Sequence, residues 1–164
     1  MDITTRIEFA APPQDVYAMM TDQAYLAEVC EAAESRRYEA TVSGSTTKTT
    51  RAFAAPDAVA RFTGGELTVS EETVWGGSGP DGQRTGELTM TVQGQPVSMR
   101  GHVALAASGP GTVVQLTGEL KVAIPLLGKK LEQSTAPAVL AGFTLQQDVG
   151  SRWLARSGPA ATRG

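Results

Sequence analysis

Residues 7–17 read IEFAAPPQDVY and mark the passage from a strand into a helix. Across residues 2–10 apolar and polar side chains alternate, a period typical of a half-buried strand. The two prolines that follow stop this strand, and the second of them, Pro13, suits the first turn of a helix. Val16 and Tyr17 then come at helical spacing. The chain is therefore predicted to open with one strand and one helix.

A second short helix and a long run of strands are predicted next. Asp22 is a candidate N-cap for a helix that extends to about Ala33. From Arg37 to Ile124 the apolar period changes to two, and Gly-rich turn sequences recur at short intervals. This pattern predicts an antiparallel meander. Its six strands are expected at residues 37–43, 46–54, 66–75, 84–93, 97–107 and 112–124.

The last predicted element is a long helix that begins at Pro125 and extends to about Leu154. Apolar residues recur along it at helical spacing and form one stripe. Residues 155–164 are rich in small residues and predict a disordered tail. With 164 residues in total, the chain is expected to form one domain over residues 1–154.

Composition excludes several classes of function. One Cys and one His cannot supply the three or four ligands of a zinc site, and no metal or cofactor is predicted. A net charge of −3 leaves no basic field for nucleic acid. The N-terminus has charges where a signal peptide has its apolar region, and no apolar run reaches the 18 or so residues of a membrane span. We therefore expect a cytoplasmic protein without integral membrane association. Its oligomeric state is left open.

The predicted order of elements resembles the START-like superfamily, also called the SRPBCC or helix-grip fold. The resemblance is carried by residues 7–17, by Asp22 and by the closing helix. More narrowly, residues 2–154 resemble the actinobacterial DUF2505 family, chiefly through IPLLGKKLE at residues 124–132. The resemblance implies an α+β fold in which a seven-stranded curved antiparallel sheet wraps around the long C-terminal helix, with two short helices between strands 1 and 2. It also implies a central cavity that holds a ligand between sheet and helix.

Strand alternation and the helix stripe select the residues expected to face that cavity. Gly101 and Gly118 lie on inward faces, where a missing side chain either permits a sharp bend or leaves room for a ligand. The candidate ligand-binding residues are Arg51, Phe53, Glu71, Thr73, Trp75, Leu88, Met90, Met99, Gly101, Val103, Leu116, Gly118, Leu120, Leu131, Ala138 and Leu145.

Arg51 and Glu71 are the polar members of this set. If Phe53 points inward, so does Arg51, and if Val69 points inward, so does Glu71. A buried Glu opposite a buried Arg would anchor a polar head group or provide a catalytic acid. A β-bulge that reverses the alternation would instead leave both in solvent, and a salt bridge at the cavity mouth is a further alternative.

Two other reactive residue types are assigned structural roles. His102 is the only imidazole, and its alternation places it with Arg100 on the outward face. Cys30 lies among Leu26 and Val29 and is interpreted as a small buried core thiol. Glu71 is therefore the one candidate for a catalytic role.

Three functions remain open at this stage. The first is non-enzymatic binding of a hydrophobic small molecule (a lipid, a polyketide or another polycyclic compound), as a carrier or sensor. The second is a cyclase or dehydratase that acts on a bound polyketide-like substrate with a buried acid. The third is a protein-interaction module of the kind found among chaperone activators, which a large exposed apolar patch would favour.

Overall fold

Seven strands and four helices follow one another in the computed structural model, which describes residues 1–161 and their side chains except those at 58, 59, 62 and 158–161. In chain order they are β1 (Asp2–Phe9), α1 (Pro13–Met20), α2 (Gln23–Ala32), β2 (Arg37–Ser43), β3 (Thr46–Ala54), α3 (Asp57–Thr63), β4 (Glu66–Trp75), β5 (Arg84–Val92), β6 (Val97–Ser108), β7 (Gly111–Val122) and α4 (Gly128–Ala161). A single 3₁₀ turn at Pro80–Gly82 precedes β5.

The strands form one curved antiparallel sheet that wraps around α4. Its order is β1-β7-β6-β5-β4-β3-β2, so consecutive strands are neighbours except that β1 pairs with β7. The predicted α+β helix-grip fold, with two short helices between the first two strands, is confirmed. Because β1 pairs with β7, the first and last strands lie together beside α4, and β2 forms the opposite edge of the sheet.

Local sequence signals explain where the first helices begin. α1 starts at Pro13, as predicted from the fixed φ of proline at a first helical position. α2 is capped by Asp22, whose carboxylate accepts a hydrogen bond of 2.8 Å from the backbone N–H of Ala24.

One helix is absent from the sequence-based prediction. Residues 55–65 are predicted as a connection, whereas the structure has α3 there. Pro56 precedes this helix, and Gly64 ends it at φ +71°, a left-handed conformation that favours glycine. Seven residues make barely two turns, which is too short for an apolar stripe to be recognised in the sequence.

The long helix differs from its prediction at both ends. It begins at Gly128 rather than at Pro125, because Leu126 has φ +68° and cannot continue a right-handed helix. It also extends through residues 155–161, which the sequence assigns to a tail; residues 162–164 of that tail lie outside the described part of the chain. None of the helices over residues 1–161 combines the length and apolar character needed to cross a bilayer.

The core lies between the concave face of the sheet and α4. Met99, Leu105, Leu120 and Val149 are at most 1% exposed, and the inward alternation predicted for β6 and β7 is confirmed. Gly101 and Gly118 face each other across these two strands. A Cβ at Gly118 would lie 2.7 Å from the backbone oxygen of Arg100. Close approach of the two backbones, not space for a ligand, is therefore the reason for glycine at this pair.

Candidate functional site

A cavity forms where the helices leave part of the sheet uncovered. α4 packs against β1, β7 and α2, and α2 packs against β2 and β3. Between them, the inner faces of β3 and β4 border a space of about 300 Å³, which we call the main cavity. Its lining comprises Tyr25, Leu26, Val29, Cys30 and Ala33 of α2 and the residue after it; Thr49, Arg51 and Phe53 of β3; Glu71 of β4; and Ala138, Ala141, Gly142, Leu145 and Gln146 of α4.

The main cavity opens along α4. Ala138 and Ala141 line it and are also exposed on the helix surface, so its mouth lies beside them. Small side chains at these positions keep the mouth wide. The volume lies at the lower end of the roughly 300–1,000 Å³ found for pockets that hold small organic molecules. The site is therefore suited to a compact ligand.

A second, smaller space of about 40 Å³ lies deeper between the sheet and α4. It is bordered by Thr5, Ile7, Met20, Glu71, Thr73, Trp75, Leu88, Val103, Val114, Leu116, Phe143 and Gln146. The indole of Trp75 is packed edge-on against Tyr17, with ring centroids 5.8 Å apart. Glu71 and Gln146 border both spaces, so their side chains separate the main cavity from this inner cavity.

Arg51 and Glu71 both reach the main cavity from adjacent strands. The β3–β4 register pairs Glu71 with Thr49 and Arg51 with Val69, so the two charged residues are diagonal neighbours on one face. Burial raises the pKa of the Glu71 carboxyl above its usual range, against the opposing effects of the Arg51 guanidinium and a hydrogen bond from the Gln146 side chain. Glu71 therefore binds a proton at a higher pH than an exposed glutamate does.

Tyr25 and Cys30 form the polar part of the α2 wall. Tyr25 is 1% exposed, and its hydroxyl donates a hydrogen bond of 2.9 Å to the carbonyl of Gln146. Burial raises the pKa of the Tyr25 hydroxyl and of the Cys30 thiol, so both groups are protonated at neutral pH. A protonated thiol is a poor nucleophile, which agrees with the interpretation of Cys30 as a packing residue.

Ten of the residues predicted to bind ligand border one of the two cavities. They are Arg51, Phe53, Glu71, Ala138 and Leu145 at the main cavity, and Thr73, Trp75, Leu88, Val103 and Leu116, with Glu71 again, at the inner one. The other six, Met90, Met99, Gly101, Gly118, Leu120 and Leu131, border neither. Met99 and Leu120 are fully buried in the core, where other side chains occupy the space beside them.

The contribution of α2 was absent from the predicted site. The sequence indicates an apolar stripe on this helix with Leu26, Val29 and Cys30, but a stripe alone does not distinguish a core face from a cavity wall. Gln146 was also missed. A polar residue within an otherwise apolar helix face, next to Leu145, is the signal that would have pointed to it.

His102 lies away from both cavities. It is exposed on the outer face of β6, and its Nδ1 lies 2.9 Å from Oε1 of Glu87 on β5. The outward orientation predicted from alternation is confirmed. A catalytic scheme that uses this imidazole in the cavity is therefore excluded by position.

We expect Glu71→Gln to stabilise the protein in a pH-dependent way. Because the carboxyl has a raised pKa in the folded chain, ionisation above about pH 4 disfavours folding, and Gln removes this effect. The melting temperature should increase at pH 8 by on the order of 2–4 °C, the shift that about 1 kcal/mol produces in a chain of this size. At pH 4 the difference should largely disappear.

Glu72, the exposed residue next to Glu71, provides the control for this experiment. Glu72 follows Glu71 on β4 but faces solvent, so Glu72→Gln should change the melting temperature little at either pH. Thermal unfolding followed by circular dichroism measures both variants. An equal increase in the melting temperature of Glu71→Gln at pH 4 and pH 8 would show that ionisation of Glu71 does not destabilise the folded protein.

Comparison with known families gives one match. The model of a family described as "Protein of unknown function (DUF2505)" matches residues 4–154. A comparison with curated proteins finds no match. The family match thus covers α2, α4 as far as residue 154, β1 from residue 4 onward and the other six strands in full.

Solved structures similar to this one share its fold at low sequence identity. TTHA0849 from Thermus thermophilus is 20% identical with a TM-score of 0.61, covering 92% of this chain and 97% of that one. A STAR-related lipid transfer protein (fragment 25–204) from Xanthomonas axonopodis is 13% identical with a TM-score of 0.62, covering 94% and 85%. Human STARD10 is 10% identical with a TM-score of 0.61, covering 97% and 68%. At these identities the similarity shows the START-like fold.

Proposed function

The chain belongs to the DUF2505 family. From the geometry of the site we propose that it binds a hydrophobic small molecule in the main cavity. The role is that of a carrier or sensor, and the ligand class is a lipid, a polyketide or another polycyclic compound. Phe53 and Leu145 contribute apolar contact, and Arg51 with Glu71 contributes polar anchors.

The main cavity itself carries this proposal. Apolar side chains from two helices and a strand surround it, so a ligand that fills it removes its own apolar surface from water. That burial stabilises a complex by roughly 25 cal/mol per Å². A mostly apolar pocket with a few convergent polar groups is the usual arrangement of a small-molecule site. The similarity to a protein described as a lipid transfer protein supports the same proposal.

Native mass spectrometry of the freshly purified protein tests the proposal directly. We expect a stoichiometric additional mass, which solvent extraction then releases for identification. A protein without bound mass that also gains no thermal stability from a panel of lipids and polycyclic compounds would contradict the proposal.

Blocking the mouth provides a test that does not depend on the ligand's identity. Ala141 is exposed at the mouth, so Ala141→Trp should obstruct it with little cost in stability. The dissociation constant of the ligand should increase at least about tenfold, which corresponds to a loss of about 1.4 kcal/mol of binding, and the occupancy of the purified protein should fall as a result. Gln133→Trp, at an exposed α4 position outside the cavity, is the matched control and should leave occupancy unchanged. Equal occupancy in both variants would place the ligand elsewhere.

The position of Glu71 favours a second candidate function, that of a cyclase or dehydratase. Its carboxyl borders both cavities and has a raised pKa, the property that a general acid needs at neutral pH. An enzyme should lose turnover in Glu71→Gln while it retains substrate binding. A carrier has no turnover, so in a carrier Glu71→Gln should change only the affinity for the ligand.

A further inference from the structure

We propose that the ligand of the main cavity is an apolar molecule that ends in a single carboxylate, which pairs with the guanidinium of Arg51. This inference rests on the proposed function and specifies its ligand. It goes beyond the general expectation of a polar anchor, because it assigns the charge of the head group. Three observations support it: the bonding state of Arg51, the charges inside the cavity and the space around them.

Arg51 has a guanidinium without a bonded partner in the part of the chain that the structure describes. Arg84, the other half-buried arginine among the described residues, differs: it donates a hydrogen bond of 3.0 Å to the carbonyl of Gly76 and lies over the ring of Tyr17. Arg51 is half-buried and feels Glu71 only as a neighbouring charge, without an ion pair between them. The guanidinium carries five N–H donors in a planar fork, and Arg51 lines a largely apolar space.

A ligand that fills the cavity removes water from this guanidinium. An unpaired charge is costly in such surroundings, so the ligand must supply an acceptor and preferably a negative charge. A carboxylate accepts two parallel hydrogen bonds from a guanidinium and neutralises it. An alcohol, ketone or ester would leave the positive charge uncompensated.

The other charged group of the lining limits the head group to one negative charge. Glu71 is the acidic residue among the described lining residues, and Arg51 is the basic one. Burial favours the protonated form of Glu71, which can then donate a hydrogen bond to a carboxylate beside Arg51. A phosphate monoester would bring nearly two negative charges to a single guanidinium, a poorer match.

The surrounding side chains place the apolar part of the ligand. Leu26 and Val29 of α2, Phe53 of β3 and Leu145 of α4 border the main cavity around Arg51. They form a continuous apolar wall toward the exposed mouth on α4. A molecule with its carboxylate at Arg51 would therefore have its apolar portion among these residues.

Matched acids and esters test the assignment on the unaltered protein. Decanoic, hexadecanoic and 2-naphthoic acids are titrated into the full chain alongside their methyl esters, with binding followed by calorimetry. For at least one pair the acid should bind about tenfold or more tightly than its ester, the advantage expected of a charge-assisted pair. In Arg51→Met this preference should disappear while the ester binds as before. Arg100→Met, at an exposed position on β6, is the control and should keep the preference.

The pH dependence provides a second readout. The titratable groups that face Glu71 are Arg51 from β3 and Tyr25 and Cys30 from α2, whereas α4 presents the neutral Gln146. As pH rises and Glu71 ionises, its charge repels the ligand's carboxylate, so acid binding should weaken. In Glu71→Gln this weakening should be absent at every pH at which the ligand's own carboxylate is already ionised.

Each result has a distinct meaning. Equal binding of acid and ester in every pair, or tighter binding of the ester, would overturn the carboxylate assignment and leave the cavity as a site for neutral molecules. Absence of binding for all six compounds, together with a native mass spectrum that shows only the protein, would overturn both this inference and the proposed function.

Discussion

Replacement of Tyr25 by alanine should lower the free energy of unfolding by about 3–5 kcal/mol, the usual cost of truncating a fully buried aromatic side chain. Tyr25 connects α2 to α4: its hydroxyl bonds to the Gln146 carbonyl, and its ring meets Trp153 edge-on with centroids 5.9 Å apart. The variant loses these contacts and also enlarges the main cavity, because Tyr25 is part of its wall. We therefore expect weakened ligand binding as well.

Two variants isolate the cause of this loss. Tyr25→Phe keeps the ring and removes only one hydrogen bond, so it should cost about 1 kcal/mol. Tyr38→Ala removes a tyrosine that is 38% exposed, together with its hydrogen bond to the exposed Glu31, and should lower the free energy of unfolding by only about 1 kcal/mol. Urea unfolding followed by circular dichroism measures all three. If Tyr25→Ala and Tyr38→Ala were equally stable, the packing of α2 against α4 would contribute little to the fold.

Replacement of Gly118 by alanine should destabilise the protein by about 3 kcal/mol, which corresponds to roughly 10 °C in melting temperature. The new Cβ would lie 2.7 Å from the backbone oxygen of Arg100 and 3.0 Å from the Cα of Gly101. Both atoms belong to the backbone of β6, so the methyl group cannot be accommodated by a side-chain rotation. The β6 and β7 strands would have to separate in the middle of the sheet.

Gly77→Ala is the matched control for this substitution. A Cβ at Gly77 meets no atom within 4 Å, and its backbone has no positive φ, so stability should stay within about 0.5 kcal/mol of the parent. Thermal unfolding of both variants at the same pH compares them. A melting temperature for Gly118→Ala within about 2 °C of the parent would show that the two strands can separate at low cost.

Much of the fold was predictable because strand periodicity and turn residues specify it locally. The predicted bounds of β2, β3 and β4 agree with the structure, since a glycine or proline follows each of these strands within two residues. The alternation on β6 and β7 also placed Met99 and Leu120 correctly inside. Local signals of this kind do not depend on where distant residues lie.

The candidate site was less predictable because it depends on how α2 and α4 sit on the sheet. Alternation places Arg51 and Glu71 on one face, but it does not show which part of that face a helix covers. The structure leaves β3 and β4 partly uncovered, and this creates the cavity there, not beside Met99 and Leu120. Gln146 reaches the site through tertiary packing, for which the sequence offers no distance information.

The pairing of β1 with β7 has a consequence for biosynthesis. The hydroxyl of Thr112, at the start of β7, donates a hydrogen bond to the carbonyl of Ala11, 101 positions earlier in the chain. At translation speeds of roughly 5–20 residues per second, about 5–20 s separate the emergence of these two segments from the ribosome. During that interval β1 has no strand partner, and its apolar face is available to chaperones or to other nascent chains. Of the seven strands of this sheet, the one that is synthesised first is thus among the last to be docked.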